Sequence, residues 1–120
     1  MPEKATQVTI YHNPRCGKSR QTLQLLRDRG IEPEIVEYLK TPPDAATLAG
    51  LLRKLRLEPR QLMRKKEPPY KDGGLDNPSL DAAALIAAMV ANPVLIERPI
   101  VVKGAKAALG RPPEAVLEIL

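Results

Sequence analysis

A strand, a helix and a second strand follow one another within about the first forty residues, and this order constrains the fold more than any other feature. QVTIYH at residues 7–12 is β-branched and aromatic with alternating apolar positions, which predicts a strand. Apolar residues recur at helical spacing between Gly17 and Gly30, and IEPEIVEYL at residues 31–39 predicts the second strand. A helix joining two parallel strands makes a right-handed βαβ unit, so the sequence predicts an α/β fold.

The middle of the chain predicts helices. Asp44 can cap a helix that carries four leucines at helical spacing, and Pro59 can open a short helix through Arg64. KKEPPYKDGGLDNP, rich in Pro, Gly and Asp, predicts a loop, and a further helix is expected from Ala82 to a break near Pro93. These segments predict a helical insertion over about residues 44–92.

The C-terminal part returns to strands. Residues 100–102 are β-branched, and a turn at Lys103-Gly104 permits a hairpin with residues 106–109. A proline pair then leads into EAVLEIL, which predicts a final helix. The order is therefore β-α-β, helices, β-β-α, and 120 residues suit one compact domain.

Composition narrows the classes of function. The net charge of +5 favours anionic partners, but Phe and Trp are absent and only three tyrosines are present. Surfaces that bind single-stranded nucleic acid interleave aromatic and basic residues, so nucleic acid is not favoured. No apolar stretch is long enough to span a membrane, and MPEKATQ lacks the pattern of a signal peptide. We therefore expect a cytoplasmic protein without a membrane segment.

HNPRCGKS, residues 12–19, contains the only cysteine and the only histidine. A helix N-terminus and nearby cations lower the pKa of a thiol, and Cys16 directly precedes the predicted helix. An isolated cysteine is often a small buried apolar residue, but this one lies in a polar turn between strand and helix. The sequence favours a reactive thiol there. Because the chain has no second cysteine, the second sulfur of any thiol exchange must come from another molecule. One cysteine and one histidine are too few for a metal site, so none is predicted.

Several longer motifs occur in order along the chain. They are TIYHNPRCGKSRQTLQLLRDRG, EYLKTPP, RQLMRKKEPPY, LIERPIVV and GRPPEAVLEIL. Together they resemble the glutaredoxin-coupled arsenate reductase family across residues 7–120. The resemblance implies a thioredoxin-like α/β fold, βαβ…ββα, with a mixed four-stranded sheet and a helical insertion in a single domain, residues 1–120.

The resemblance also assigns roles to residues. The cysteine of the family's HNP-x-C-G-x-S motif is the nucleophile and matches Cys16, and the motif's histidine and serine match His12 and Ser19, which support the thiolate. From the residues themselves, Gly17 is also expected to support this site, because it lets an anion approach the backbone closely. Three arginines of the family hold the oxyanion. They match Arg64, Arg98 and Arg111, and Pro99 matches the cis-proline of thioredoxin-like folds. From the residues alone, Arg64 could equally belong to a solvated Lys-rich face and Arg111 could neutralise a helix or a surface carboxylate.

The chemistry implied by the resemblance is reduction of arsenate to arsenite through a thiol-arsenate adduct on Cys16. Glutathione is then the co-substrate, glutaredoxin is the protein partner, and no bound cofactor is implied. We expect a monomer.

This chain also departs from the family pattern, and other functions stay open. Glu97 precedes Arg98 where asparagine is usual, and KGAKAALG at residues 103–110 replaces a Thr-Pro pattern. A carboxylate facing the anion site would weaken oxyanion binding, although adjacent residues of an extended strand point to opposite faces. Two alternatives are a glutathione-linked thiol oxidoreductase with another substrate and a polymerase-binding regulator of the same fold. For the regulator, Ser19 stands where a disulfide switch would need a second cysteine.

Overall fold

A computed structural model describes residues 7–120. Apart from Gln7, the N-terminal stretch on which the lack of a signal peptide was predicted lies outside the described residues. The described chain divides into two compact units, one of residues 7–41 with 98–120 and one of residues 42–97. The predicted helical insertion lies within the second unit.

The first unit contains a mixed four-stranded sheet. Its strands are β1 (Val8–Tyr11), β2 (Glu34–Val36), β3 (Ile100–Lys103) and β4 (Lys106–Leu109), in the order β2-β1-β3-β4. β1 and β2 are parallel, whereas β1 with β3 and β3 with β4 are antiparallel. The predicted α/β, thioredoxin-like fold with its C-terminal hairpin is confirmed.

Strand β2 is much shorter than the nine residues predicted. Pro33, directly before it, has no N–H to donate to a ladder. After Val36 the chain turns, because the carbonyl of Glu37 accepts hydrogen bonds from the N–H groups of Lys40 and Thr41. The apolar and β-branched composition of residues 31–39 therefore predicted the strand but not its ends.

Helix α1 (Gly17–Asp28) connects β1 to β2 and covers the sheet. Gly30 follows the helix with a left-handed φ of 77°, as its position predicted. Apolar side chains of the helix, the central strands and the C-terminal segment form one buried cluster of Val8, Ile10, Leu23, Leu26, Val101 and Val116. This core packs the second half of α1 and the C-terminal segment against the central strands.

The final helix was predicted as an ordinary one, but Pro113–Ile119 is a 3₁₀ helix. Its backbone hydrogen bonds include one from the Ala115 N–H to Pro112 and one from the Leu120 N–H to Leu117. Both span three residues, as a 3₁₀ helix requires. Val116 is fully buried in the core, so packing against the sheet decides the shape of this segment over local helix propensity.

The second unit is helical. Its helices are α2 (Ala45–Leu55), α3 (Pro59–Leu62), α4 (Pro68–Asp72) and α5 (Ala82–Ala91), followed by a 3₁₀ turn at Pro93–Leu95. Asp44 caps α2 as predicted, since its carboxylate accepts from the Thr47 N–H at 2.7 Å. No helix within residues 7–120 has the length and apolar character that crossing a bilayer demands.

Two predictions in this unit were wrong. The loop predicted for KKEPPYKDGGLDNP contains α4, which begins at a proline in its first position and buries Tyr70. Helix α3 ends at Leu62, before Arg64, because Met63 is extended and pairs with Ile96 in an isolated β-bridge. In both cases burial against neighbouring segments of the unit overrides the local composition.

Candidate active site

Three chain segments meet at one edge of the sheet. β3 runs antiparallel to β1 with Tyr11 opposite Ile100, and β4 runs antiparallel to β3 with Ile100 opposite Leu109. The end of β1, the start of β3 and the end of β4 therefore lie side by side. These three strand ends lead to Cys16, Arg98 and Arg111 respectively, so pairing in the sheet brings together residues that are far apart in the sequence.

Cys16 is the N-cap residue of α1, with extended backbone angles of φ −95° and ψ 124°. Its own N–H donates to the Asn13 carbonyl at 3.0 Å, which closes the turn from β1 into the helix. The residue is 8% exposed. The thiol thus lies at the mouth of the helix, where the first backbone N–H groups have no partner within the helix.

The surroundings of Cys16 favour the thiolate. Burial raises the pKa of the Cys16 thiol, but the backbone N–H groups of Ser19 and Lys18 and the charges of Arg98 and Arg111 lower it. The lowering contributions outweigh burial, so the pKa lies below its ordinary value. A larger fraction of the nucleophilic thiolate at neutral pH follows.

His12 and Ser19 form a buried hydrogen-bonded pair below the turn. His12 Nδ1 lies 2.6 Å from Ser19 Oγ, which also accepts from the Asn13 N–H at 3.0 Å. Burial has the largest effect and lowers the pKa of His12. The negative charge of Glu37 raises this pKa, whereas the positive charges of Arg27 and Arg20 lower it, and the net pKa lies below its ordinary value, so the ring is neutral at pH 7. The Ser19 hydroxyl therefore fixes the turn, whereas the group of Ser19 that favours the thiolate is its backbone N–H.

Arg98 and Arg111 lie next to each other at this edge. Arg111 Nε donates to the Arg98 carbonyl at 2.9 Å. The Arg98-Pro99 bond is cis, as the resemblance implied, and the Arg111-Pro112 bond is cis as well, which was not predicted. Both guanidinium groups lower the pKa of Cys16, so their charges act on the same sulfur. Such planar groups pair well with oxyanions.

Gly110 is a positioning residue that sequence reasoning missed. Its N–H donates to the Pro99 carbonyl at 2.9 Å. A Cβ atom at this position would lie 2.7 Å from Pro99 Cγ and would also overlap the buried Thr22 hydroxyl. Only glycine lets the chain pass this closely before Arg111. The signal in the sequence was the glycine that directly precedes the Arg-Pro-Pro motif.

We expect Gly110→Ala to lower the free energy of unfolding by about 1–3 kcal/mol, because the methyl group overpacks a closed site. Gly17→Ala is the matched control. A Cβ there meets only the end of the Arg20 side chain, at 3.8 Å. Chemical denaturation of both variants measures the difference, and equal stabilities would contradict the assigned role of Gly110.

Arg64 belongs to the second unit and sits between two carboxylates. Its Nη1 lies 3.3 Å from Glu67 Oε1, and its Nε lies 3.8 Å from Glu97 Oε1. The three side chains are between 24% and 27% exposed. Arg64 is therefore partly buried and paired with carboxylates, and the carboxylate of Glu97, the residue that departs from the family pattern, lies next to it. Part of the positive charge of Arg64 is offset.

Histidine, cysteine and carboxylate side chains do not cluster in threes anywhere within residues 7–120 in a way that could hold a metal ion. The strand ends that lead to Cys16, Arg98 and Arg111 instead bring one thiol with a lowered pKa next to two arginines on a thioredoxin-like sheet. This combination defines a class of proteins in which a cysteine nucleophile acts next to an anion-binding surface.

The chain belongs to the ArsC family, whose model matches residues 11–119. It is 61% identical over 115 residues to the Escherichia coli K12 protein named "Uncharacterized protein YfgD", covering 95% of this chain and 97% of the relative. It is 50% identical over 121 residues to a Neisseria meningitidis protein named "Arsenate reductase", with full coverage of both. A solved structure of "Arsenate reductase from Vibrio cholerae" matches with a TM-score of 0.94 and 52% identity, covering 96% of this chain and 98% of that one.

Proposed function

We propose that this protein is an arsenate reductase in which the Cys16 thiolate attacks arsenic. The observation that carries the proposal is the convergence on one sulfur of two helix N–H groups and the Arg98 and Arg111 charges, which lowers the pKa of Cys16 against the effect of burial. Relatives named arsenate reductase at about half identity over the whole chain support the choice of oxyanion.

In the first step a bond forms between the Cys16 sulfur and arsenic, and one arsenic–oxygen bond breaks. The departing oxygen takes protons and leaves as water. Arg98 and Arg111 would pair with the remaining oxygens and offset the negative charge of the adduct. The open space above Gly17, where a Cβ would meet no atom closer than 3.8 Å, lets an anion approach the first N–H groups of α1.

In the second step an external thiol is required, because the chain has a single cysteine. Glutathione adds to the adduct as a bond forms between its sulfur and arsenic and a second arsenic–oxygen bond breaks, releasing water. A glutaredoxin thiol then attacks the glutathionyl sulfur. The two external thiols become one mixed disulfide, and arsenic(V) keeps the two electrons of the broken arsenic–sulfur bond and becomes arsenic(III). Water then cleaves the bond between arsenic and the Cys16 sulfur, which releases arsenite and regenerates the Cys16 thiol. A reducing pool of glutathione implies a cytoplasmic location, and no step of the reaction needs a bound cofactor or a second copy of the chain.

Arg64 is a proposed third oxyanion ligand. Within its own unit its guanidinium is held by Glu67 and Glu97. If it also contacts the substrate, the two carboxylates orient it and weaken its attraction for a dianion. The role of Arg64 in anion binding therefore stays a prediction from the resemblance.

The partial offset of the Arg64 charge by Glu67 and Glu97 favours a second candidate function. A glutathione-linked thiol oxidoreductase would use the same Cys16 thiolate on a mixed disulfide between glutathione and a protein. Such a substrate needs no dianion site, so a partly neutralised arginine would matter less.

One assay separates the two functions. The purified protein is incubated with glutathione, glutaredoxin and either arsenate or a glutathionylated peptide. We expect arsenite to form at a rate that depends on all three components, and we expect kcat/KM for arsenate to exceed that for the peptide. Release of glutathione from the peptide without formation of arsenite would contradict the arsenate assignment and support the second candidate.

A further inference from the structure

A cleft of about 230 Å³ opens at the same edge of the sheet, beside the turn that carries Cys16. It is lined by His12–Arg15, which follow β1, and by Glu37, Leu39 and Lys40, which follow β2. β1 and β2 are parallel, so both segments leave the sheet at its carboxyl edge. A crevice outside the carboxyl ends of parallel strands is a common place for ligands.

The lining combines carbon with a few charges. Leu39 is 45% exposed, and Pro14 adds a second apolar surface. Lys40 Nζ lies 3.4 Å from Glu37 Oε1, so one positive and one negative group sit side by side. Apolar side chains form no hydrogen bonds or ion pairs with an inorganic oxyanion. An organic zwitterion with a methylene chain can pack its carbon atoms on these side chains and pair its charges with Glu37 and Lys40.

We propose that this cleft is the subsite for the thiol co-substrate and that it takes the γ-glutamyl arm of glutathione. The inference rests on the proposed function, which requires an outside thiol. The ammonium group of the arm pairs with Glu37, its α-carboxylate pairs with Lys40, and its methylene groups pack on Leu39 and Pro14.

Charge matching supports this occupant. A γ-glutamyl group carries an ammonium and a carboxylate on one carbon, and the Glu37–Lys40 pair presents the complementary charges next to each other. Glutathione carries a second carboxylate at its glycine end. Arg15 supplies a further cation on the lining, adjacent in sequence to Cys16.

The cleft is linked directly to the nucleophile. The Asn13 carbonyl accepts from the Cys16 N–H at 3.0 Å, so a residue of the lining also fixes the backbone of the reactive cysteine. With a volume of about 230 Å³, the cleft has room for one arm of the tripeptide. The free part of the ligand can then lie over the turn of residues 13–16.

S-Methylglutathione is the probe, because it keeps both ends of glutathione and cannot react. Its dissociation constant is measured by calorimetry on the intact protein and on Lys40→Glu. We expect the variant to bind about tenfold more weakly, since it loses one pairing and gains a repulsion. The KM for glutathione rises by a similar factor, while the KM for arsenate changes by less than about twofold.

Two control variants separate the cleft from general effects. Lys54→Glu changes an exposed lysine of α2 and alters the net charge by the same amount. Leu39→Thr and Ile35→Thr both shorten an exposed apolar side chain, but only Leu39 lines the cleft. We expect weaker probe binding, by about threefold, for Leu39→Thr and no change for Lys54→Glu and Ile35→Thr.

The outcomes distinguish this inference from the proposed function. Unchanged probe binding in both Lys40→Glu and Leu39→Thr overturns the subsite even if the protein forms arsenite. Slower turnover with glutaredoxin but unchanged probe binding also overturns it and assigns the cleft to a protein partner. The expected binding changes without any formation of arsenite leave the subsite standing and contradict the arsenate reductase assignment.

Discussion

Cys16→Ser is expected to form no measurable arsenite with glutathione and glutaredoxin present, a loss of at least about a thousandfold in kcat. A serine hydroxyl stays protonated in the surroundings that lower the pKa of the thiol, so it does not form the bond to arsenic on which the reaction depends. Arsenite detection after a fixed time measures the loss.

The same variant should leave the proposed anion site intact. Arg98, Arg111 and the first N–H groups of α1 are unchanged, and serine is close in size to cysteine. We therefore expect arsenate to bind to Cys16→Ser within a fewfold of wild type, with an unchanged midpoint of thermal unfolding. Turnover retained in this variant would show that Cys16 is not the nucleophile.

Arg98→Ala is expected to lower kcat/KM for arsenate by about a hundredfold or more, since an active-site group that stabilises an oxyanion typically contributes this much. The substitution also raises the pKa of Cys16, because the Arg98 charge is one of the causes that lower it. Alkylation of Cys16 by iodoacetamide, followed against pH, measures this second effect without any substrate.

The sign of the pH effect is definite. Below its pKa the thiol is protonated and does not react, so a raised pKa leaves less thiolate at pH 7 and the alkylation rate falls. The difference in alkylation rate disappears at alkaline pH, where the Cys16 thiol is ionised in both the variant and the wild type. Arg111→Ala shifts the midpoint in the same direction by a smaller amount, because its effect on the pKa is the weaker of the two.

Arg53→Ala is the matched control for both arginine variants. Arg53 is an exposed residue of α2, and its removal changes the net charge equally. Its alkylation midpoint should match wild type. A midpoint that moves equally in all three variants would mean that net charge, not the position of Arg98 and Arg111, sets the reactivity of Cys16.

Features formed by residues close together in the sequence could be predicted, whereas features formed by distant segments could not. The turn and helix that place Cys16 could be predicted because they are formed by neighbouring residues. Local signals are the strand that ends in the His12-Asn13-Pro14 turn, the helical spacing after Gly17 and the glycine at position 30. Arg98, Arg111 and the cis bond at Pro99 came from the family resemblance instead, since no periodicity indicates which arginine faces a distant cysteine.

What the sequence by itself determined is a βαβ start, a C-terminal hairpin, and a single thiol at a helix N-terminus. Only the tertiary structure decided the short β2, the 3₁₀ form of the last helix, the need for glycine at position 110 and the cleft beside Leu39. These features depend on pairing and packing between segments that are distant in the sequence. Local propensities carry no information about such contacts, because the sheet register and the packing of the core set them.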